Sequence, residues 1–221
     1  MKFSEDWWPF QWQTVKAVAN NDLSRVMGLV PLAGYLILFN DEFANLASFN
    51  TIAGVTDQFD SPFFLEAITK LRLVFFGSLF VFISFVIYRI FRPPVIDFSI
   101  SDIEFSGRVR ENYTVAEIAS MELQVYSDSW KPRNSIFWTA RGITRQEPIL
   151  SGFRPDTRSY LLSEYGDYIS FLAREWWTGM MHTFRPARIA SLVFGVSGYI
   201  LLAVPTVDIA QAVIRDILTS T

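Results

Sequence analysis

Three stretches of the chain are almost uninterrupted runs of apolar residues. The third, residues 189–207, contains nineteen residues and no charge. The second, residues 73–88, is followed by Arg89 and Arg92, whose long side chains can extend to lipid headgroups. A helix needs about 20 apolar residues to cross ~30 Å of hydrocarbon. Both stretches therefore predict membrane-spanning helices.

The first stretch, residues 26–39, is shorter, with fourteen residues. It reaches spanning length only if Leu23 and Ser24 join it and the Arg25 side chain extends to the headgroups. A buried core helix is the alternative at this length. A signal peptide is disfavoured, because acidic residues precede the stretch and residues 40–42 (Asn-Asp-Glu) follow it in place of a cleavage site. We expect a third span here.

The distribution of basic residues between the spans predicts their orientation. Residues 41–69 contain no Lys or Arg, whereas residues 89–188 hold 13 of the 19 basic residues. Because basic loops stay in the cytoplasm, we expect the N-terminus and residues 93–186 inside and the C-terminus outside. Lys70 and Arg72, at the outer end of the second span, favour the opposite orientation.

These patterns predict an all-α integral membrane protein. It has three transmembrane helices, with a small, mostly helical cytoplasmic domain between the second and the third. The expected segments are an interfacial segment at 1–22, the first span at 23–40, an outer loop at 41–61, a long helix containing the second span at 62–92, the cytoplasmic domain at 93–186, the third span at 187–207 and an outer C-terminal tail at 208–221.

Within the expected cytoplasmic domain the apolar spacing favours helices. Capping-box patterns begin at Ser101 and at Thr114, each followed by Glu three residues later. Apolar residues recur at intervals of three and four across residues 158–184, which predicts one long amphipathic helix. Residues 134–150 fit either a short helix or a hairpin, because periodicity does not separate the two at this length.

Small residues on the third predicted span indicate a helix-packing face. Ala187, Ser191 and Gly195 are spaced by four, and Gly198 extends the series. Small residues at this spacing let a neighbouring helix approach closely. We expect these four residues to pack against another helix, either in this chain or in a partner.

Two further sets of residues are expected at the membrane surface. Arginines near the span ends are expected to bind lipid headgroups: Arg89, Arg92, Arg185 and Arg188. Tryptophans near the span ends are expected to be interfacial aromatics: Trp7, Trp8, Trp12, Trp176 and Trp177. For Trp176 and Trp177 the alternative is a place in the core of a soluble domain.

Composition and motifs restrict the chemistry. The chain has no Cys and one His, so thiolate sites and two-histidine metal sites are excluded. Its formal net charge of −3 gives no reason to expect nucleic acid as a partner. Nucleophile-elbow, P-loop and dinucleotide motifs are missing from the sequence, and the apolar stretches contain no ionisable residue. We therefore expect no enzyme activity, cofactor or metal.

The expected function is that of a non-enzymatic integral membrane subunit. It packs against other membrane subunits and lipids in a larger complex, in a structural, assembly or accessory role. One alternative is a membrane-embedded sensor or effector whose cytoplasmic domain controls oligomerisation or permeability, as a homo-oligomer. A weaker alternative is a lipid-modifying enzyme. The lack of Cys and the acidic charge balance favour a bacterial inner membrane, with an organellar membrane as the alternative.

Overall fold

The computed structural model describes residues 10–27, 29, 67–127 and 148–219. Every regular element in that part of the chain is helical, as the sequence predicts. The α-helices are α1 (Trp12–Ala19), α2 (Asp22–Met27), α3 (Ala67–Phe91), α4 (Val95–Phe98), α5 (Asp102–Asn112), α6 (Val115–Val125), α7 (Arg158–Met181) and α8 (Arg185–Thr219), and two 3₁₀ turns cover Leu150–Gly152 and Pro155–Thr157.

The chain forms two compact units, and each is built from two separate stretches. The first unit, here called the helical domain, combines Met1–Thr14 with Phe91–Pro186. The second, here called the long-helix unit, combines Val15–Ile90 with Ala187–Thr221. The predicted cytoplasmic segment thus corresponds closely to the second stretch of the helical domain.

Two helices are long and apolar enough to cross a membrane. Their apolar windows are Arg72–Phe91 in α3 and Arg185–Asp208 in α8, with 28% and 22% of each window buried. Less than a third of each window is buried, whereas the core helix of a soluble protein is mostly buried. Of the first expected span, 23–40, the structure describes residues 23–27, which lie in α2, and residue 29. The expected outer loop at 41–61 lies wholly outside the described residues.

Helix α8 is longer than the sequence predicts. The expected span ends at Val207, but α8 runs to Thr219 and includes Pro205. The expected span ends directly before Asp208 because this residue is charged. In the structure the Asp208 carboxylate lies 2.5 Å from the ammonium of Lys70 in α3. A single charged residue ends an apolar span but not a helix, so the residues expected to form a tail continue α8 beyond its apolar window.

The helical domain is organised around α7, and α5 and α6 pack against it. The predicted amphipathic helix is confirmed, since α7 covers Arg158–Met181. Its buried face follows the predicted three- and four-residue spacing and includes Leu161, Tyr168, Ile169 and Leu172. Tyr165 has non-helical dihedral angles and kinks the helix. Residues 134–147, whose conformation the sequence leaves open, lie outside the described residues.

The predicted capping box at the start of α6 is confirmed. The Thr114 hydroxyl accepts a bond from Glu117 N, and the Glu117 carboxylate accepts one from Thr114 N at 2.8 Å. The bonds that the Glu117 carboxylate accepts from Thr114 N and from the Thr114 hydroxyl hold the pKa of Glu117 below its ordinary value. At α5 the Ser101 hydroxyl accepts from Glu104 N, while the Glu104 carboxylate accepts from Ile100 N.

We expect Thr114→Ala to lower the free energy of unfolding by about 1 kcal/mol, because it leaves a backbone donor of α6 without its cap. Thermal unfolding in detergent, followed by tryptophan fluorescence, measures the change. Thr114→Ser keeps the hydroxyl and is the control. Equal melting temperatures for Thr114→Ala and Thr114→Ser would contradict the expectation.

N-terminal residues complete the helical domain. The fully buried Trp12 donates its indole N–H to the carbonyl oxygen of Thr183 at 2.9 Å. Gln13 donates its side-chain amide to the carbonyl oxygen of Ile100 at 2.6 Å. These bonds connect the beginning of the chain to residues near both ends of the stretch 91–186.

Candidate functional site

The candidate site in the long-helix unit is the contact between α3 and α8. Buried residues recur at intervals of three and four on both helices, a spacing that brings one face of each helix into continuous contact. On α3 they are Gly77, Val81, Ser84 and Tyr88, and on α8 they are Arg188, Ser191, Gly195 and Gly198. We call Gly77, Val81, Ser84, Ser191, Gly195 and Gly198 the Gly–Ser seam.

Glycines allow the two backbones of the seam to come close together. A Cβ atom added at Gly198 would lie 2.8 Å from the carbonyl oxygen of Gly77 and 2.9 Å from Val81 N. One added at Gly77 would lie 3.0 Å from the carbonyl oxygen of Gly198. Because these neighbours are backbone atoms, a side chain fits only if a helix moves. The contact therefore requires glycine at both positions.

Serines add hydrogen bonds across the same seam. The Ser84 hydroxyl donates to the carbonyl oxygen of Ser191 at 2.7 Å, and the Ser191 hydroxyl donates to the carbonyl oxygen of Ser84 at 3.0 Å. Both side chains are fully buried. Such bonds contribute about 0.6 kcal/mol each between membrane helices and fix the register more than they add stability.

The contacts show that α3 and α8 are antiparallel. Along α3 the sequence position rises from Gly77 to Ser84, while the partner position on α8 falls from Gly198 to Ser191. Lys70 and Asp208 extend the series at one end, and the carboxylate of Asp208 is fully buried. The charge pair is thus a further register contact outside the apolar seam.

Helix α1 reaches the same face of α8. The Tyr199 hydroxyl donates to the carbonyl oxygen of Val18 at 3.1 Å and accepts from the Asn21 side-chain amide at 2.9 Å. A Cβ atom at Gly195 would lie 2.7 Å from Val18 Cγ1. Gly195 therefore accommodates α1 as well as α3.

The expected packing residues lie in or beside this seam. Ser191, Gly195 and Gly198 are buried and face helices of the same chain, while Ala187 is partly exposed. Arg188 is buried one residue further along. The three- and four-residue spacing from Arg188 describes the face better than spacing by four from Ala187.

The residues expected at the membrane surface differ in exposure. Arg89 and Arg185 are exposed, Arg92 pairs with Asp97, and Arg188 is fully buried. Trp7 and Trp8 lie outside the described residues.

The other three expected interfacial tryptophans donate hydrogen bonds inside the helical domain. Trp12 bonds to Thr183, as described above. Trp176 donates to the Gln124 side chain at 2.8 Å, and its ring stacks on Phe105. Trp177 donates to the Ser99 hydroxyl at 3.2 Å.

A second polar site lies inside the helical domain. The carboxylate of the fully buried Glu122 in α6 accepts bonds from the backbone N–H groups of Ile149 and Leu150, at 3.0 and 2.8 Å. It also accepts a bond from the Tyr168 hydroxyl at 2.7 Å. Three donors surround one carboxylate, which offsets its desolvation and holds the chain at residue 149 against α6 and α7.

The sequence contains a signal for this carboxylate that our prediction did not use. Glu122 lies four residues after Ile118 and three before Val125, on the apolar side of α6. An acidic residue within an apolar stripe indicates a buried carboxylate with dedicated donors, because burial without them is costly. Its donors at residues 149 and 150 are distant in the sequence and cannot be predicted from it.

No family model, curated protein or solved structure matches the chain.

His182, the only histidine of the chain, is buried at the C-terminal end of α7. Its Nδ1 lies 2.8 Å from the carbonyl oxygen of Thr178, and its Nε2 lies 3.4 Å from the Gln11 side-chain nitrogen. Through its contact with Gln11, the His182 side chain helps to position the N-terminal segment of the helical domain. Among the described residues, no group of three or more His, Cys, Asp or Glu side chains lies close enough together to hold a metal ion.

Tyr168 makes the helical domain sensitive to alkaline pH. Burial raises the pKa of its hydroxyl well above the ordinary value of 10.0, and the Tyr126 hydrogen bond and the nearby Glu122 carboxylate raise it further. Above about pH 10 the unfolded chain loses this proton while the folded chain keeps it, so the free energy of unfolding falls as the pH rises.

In wild type the free energy of unfolding falls as the pH rises above about 10. We expect Tyr168→Phe to reduce the slope of this fall by up to about 1.4 kcal/mol per pH unit. At neutral pH the same variant is less stable by about 1 to 2 kcal/mol, since Glu122 loses a donor. Unfolding measured from about pH 8 to 11 should therefore show the two stability curves converging. Parallel curves would contradict the assignment.

Proposed function

We propose that this chain is a non-enzymatic subunit of a membrane complex, with a structural, assembly or accessory role. The observation that carries the proposal is the division of α3 and α8 into two kinds of face. The Gly–Ser seam packs within the chain, while the opposite faces expose large apolar side chains: Phe76, Phe82, Val193, Val196 and Ile200. Exposed faces of this kind fit lipid and the helices of other membrane subunits.

Charge placement supports insertion of α3 and α8 as an antiparallel pair. Lys70 and Asp208 lie at the same end of the pair, outside the apolar part of both helices. Lys70 favours the opposite orientation by charge counting, but its charge is neutralised by Asp208. We therefore retain the three-span topology in a bacterial inner membrane, with the first span at 23–40, the N-terminus in the cytoplasm and the C-terminus outside.

A reporter fused after Thr221 tests the topology. Alkaline phosphatase at this position is expected to be active, and green fluorescent protein is expected to be dark, because the C-terminus lies outside the cytoplasm. Fusions after Ser127, in the helical domain, are the control and should give the opposite pair of signals. A fluorescent fusion at Thr221 would contradict the three-span, N-inside topology.

Purification in mild detergent tests the subunit role. We expect a fixed set of membrane proteins to copurify with the full chain at constant ratio, as identified by mass spectrometry. Ile200→Trp, on the exposed face of α8, should reduce their recovery, whereas Leu123→Trp, on an exposed position of α6, should not. A monomer without partners would contradict the role, and a homo-oligomer without partners would favour the sensor or effector.

A further inference from the structure

The helical domain exposes three large apolar side chains within six residues. Phe98, Ile100 and Ile103 are 59%, 79% and 67% exposed, and we call them the apolar patch. Ser99, between the first two, has extended dihedral angles and a buried side chain that accepts a bond from the Trp177 indole. Because successive side chains of an extended segment point in opposite directions, Phe98 and Ile100 both point away from the core.

The backbone that carries the patch is fixed by hydrogen bonds. Gln13 donates to the carbonyl oxygen of Ile100, and Ile100 N donates to the Glu104 carboxylate at 2.8 Å. Ser101 caps α5 directly after it. The exposure of these apolar side chains is therefore a property of an ordered surface, and an exposed apolar patch of this kind commonly contacts a membrane or a partner.

The acidic residues around the patch are paired with arginines. Arg92 pairs with Asp97, Arg174 lies 2.7 Å from Asp102, and Arg108 lies 2.9 Å from Glu104. The pairing neutralises three negative charges that would otherwise repel an anionic surface. Each of the three carboxylates close to the patch in sequence therefore has an arginine partner.

The patch is also continuous in sequence with the end of an apolar helix. Phe98 lies seven residues after Phe91, the last residue of α3, so at most about 25 Å of chain separates them. Phe91 is itself exposed and contacts the ring of Phe184, which directly precedes α8, with centroids 5.8 Å apart. The last residue of α3 and the residue directly before α8 therefore form an exposed aromatic pair within the helical domain.

We propose that the apolar patch inserts into the boundary between headgroups and acyl chains of the phospholipid monolayer that receives α3 and α8. The pairing of the nearby carboxylates, the short connection to α3 and the aromatic pair of Phe91 and Phe184 favour lipid over a protein partner. The inference rests on the proposed membrane insertion. It adds that the helical domain lies on the membrane surface rather than standing free in the cytoplasm.

Site-directed spin labelling tests this, since the chain has no Cys to remove. Single variants Phe98→Cys, Ile100→Cys and Ile103→Cys are labelled in the full chain, in nanodiscs of phosphatidylcholine and phosphatidylglycerol. Leu123→Cys, 53% exposed on α6, is the water-facing control, and Phe82→Cys on α3 is the lipid-facing control. Power saturation then compares the access of oxygen, which concentrates in lipid, with that of a water-soluble nickel chelate.

We expect the ratio of oxygen to nickel access at the patch to be several-fold higher than at Leu123→Cys. A ratio equal to that of Leu123→Cys, with Phe82→Cys still in lipid, would overturn the patch proposal and leave membrane insertion standing. Low access of both reagents would indicate a protein contact and also overturn it. Water-like access at Phe82→Cys as well would overturn the insertion of α3 itself.

Discussion

Glu122→Gln is expected to lower the free energy of unfolding of the helical domain by about 2 to 4 kcal/mol. The carboxylate accepts bonds at both oxygens, from two backbone N–H groups and the Tyr168 hydroxyl. A glutamine side chain has one oxygen and one NH₂ group. In either orientation its NH₂ faces a donor, so at least one buried N–H loses its acceptor.

Thermal unfolding of the full chain in detergent, with tryptophan fluorescence as the signal, measures this loss. We expect a decrease of roughly 5 to 15 °C in melting temperature. Glu111→Gln makes the same chemical change at an exposed position of α5 and is the matched control. Adding Tyr168→Phe should lower the free energy of unfolding less in the Glu122→Gln background than in the wild type, because the two groups interact directly. Equal melting temperatures for the two Glu→Gln variants would show that the carboxylate does not support the domain.

Gly198→Ala is expected to destabilise the contact between α3 and α8 by about 1 to 3 kcal/mol. The added methyl group would lie under 3.0 Å from backbone atoms of Gly77 and Val81, so α3 must move away from α8. Movement of α3 also lengthens the hydrogen bonds between Ser84 and Ser191. One methyl group therefore weakens the whole seam.

Cross-linking of Phe80→Cys to Phe194→Cys by a short bifunctional thiol reagent reports the helix contact, because the two ring centroids lie 5.5 Å apart across it. We expect slower cross-linking and a lower melting temperature when Gly198→Ala is added. Gly107→Ala is the control, since nothing lies within 4 Å of its added methyl group and alanine stabilises a helix interior by about 0.5 to 1 kcal/mol. An unchanged cross-linking rate in Gly198→Ala would exclude the close helix contact.

Local sequence patterns predicted the helices because helix formation depends on near neighbours. The Thr114 cap and the stripe of α7 each depend on spacings of three and four residues. Leu161 and Leu172 could therefore be placed in the core from the sequence alone. The same local reasoning identified α3 and α8 as long apolar helices.

Contacts between distant residues could not be predicted in the same way. Small-residue spacing indicated a packing face at Ser191, Gly195 and Gly198, but not that its partner is α3 of the same chain. Asp208 looked like the start of a tail because its partner, Lys70, is far away in the sequence. Glu122 was missed for the same reason, since its donors at residues 149 and 150 follow a segment whose conformation the sequence leaves open.

The bond from Trp12 to Thr183 joins residues 171 positions apart, and this has a consequence for biosynthesis. At a synthesis rate of about 5 to 20 residues per second, the ribosome needs roughly 10 to 30 s after Trp12 to make its acceptor. During that interval the Trp12 indole, which is fully buried in the folded domain, lacks its hydrogen-bond acceptor. The helical domain therefore completes its core only after Thr183 has been made, by which time the polypeptide of α3 already exists.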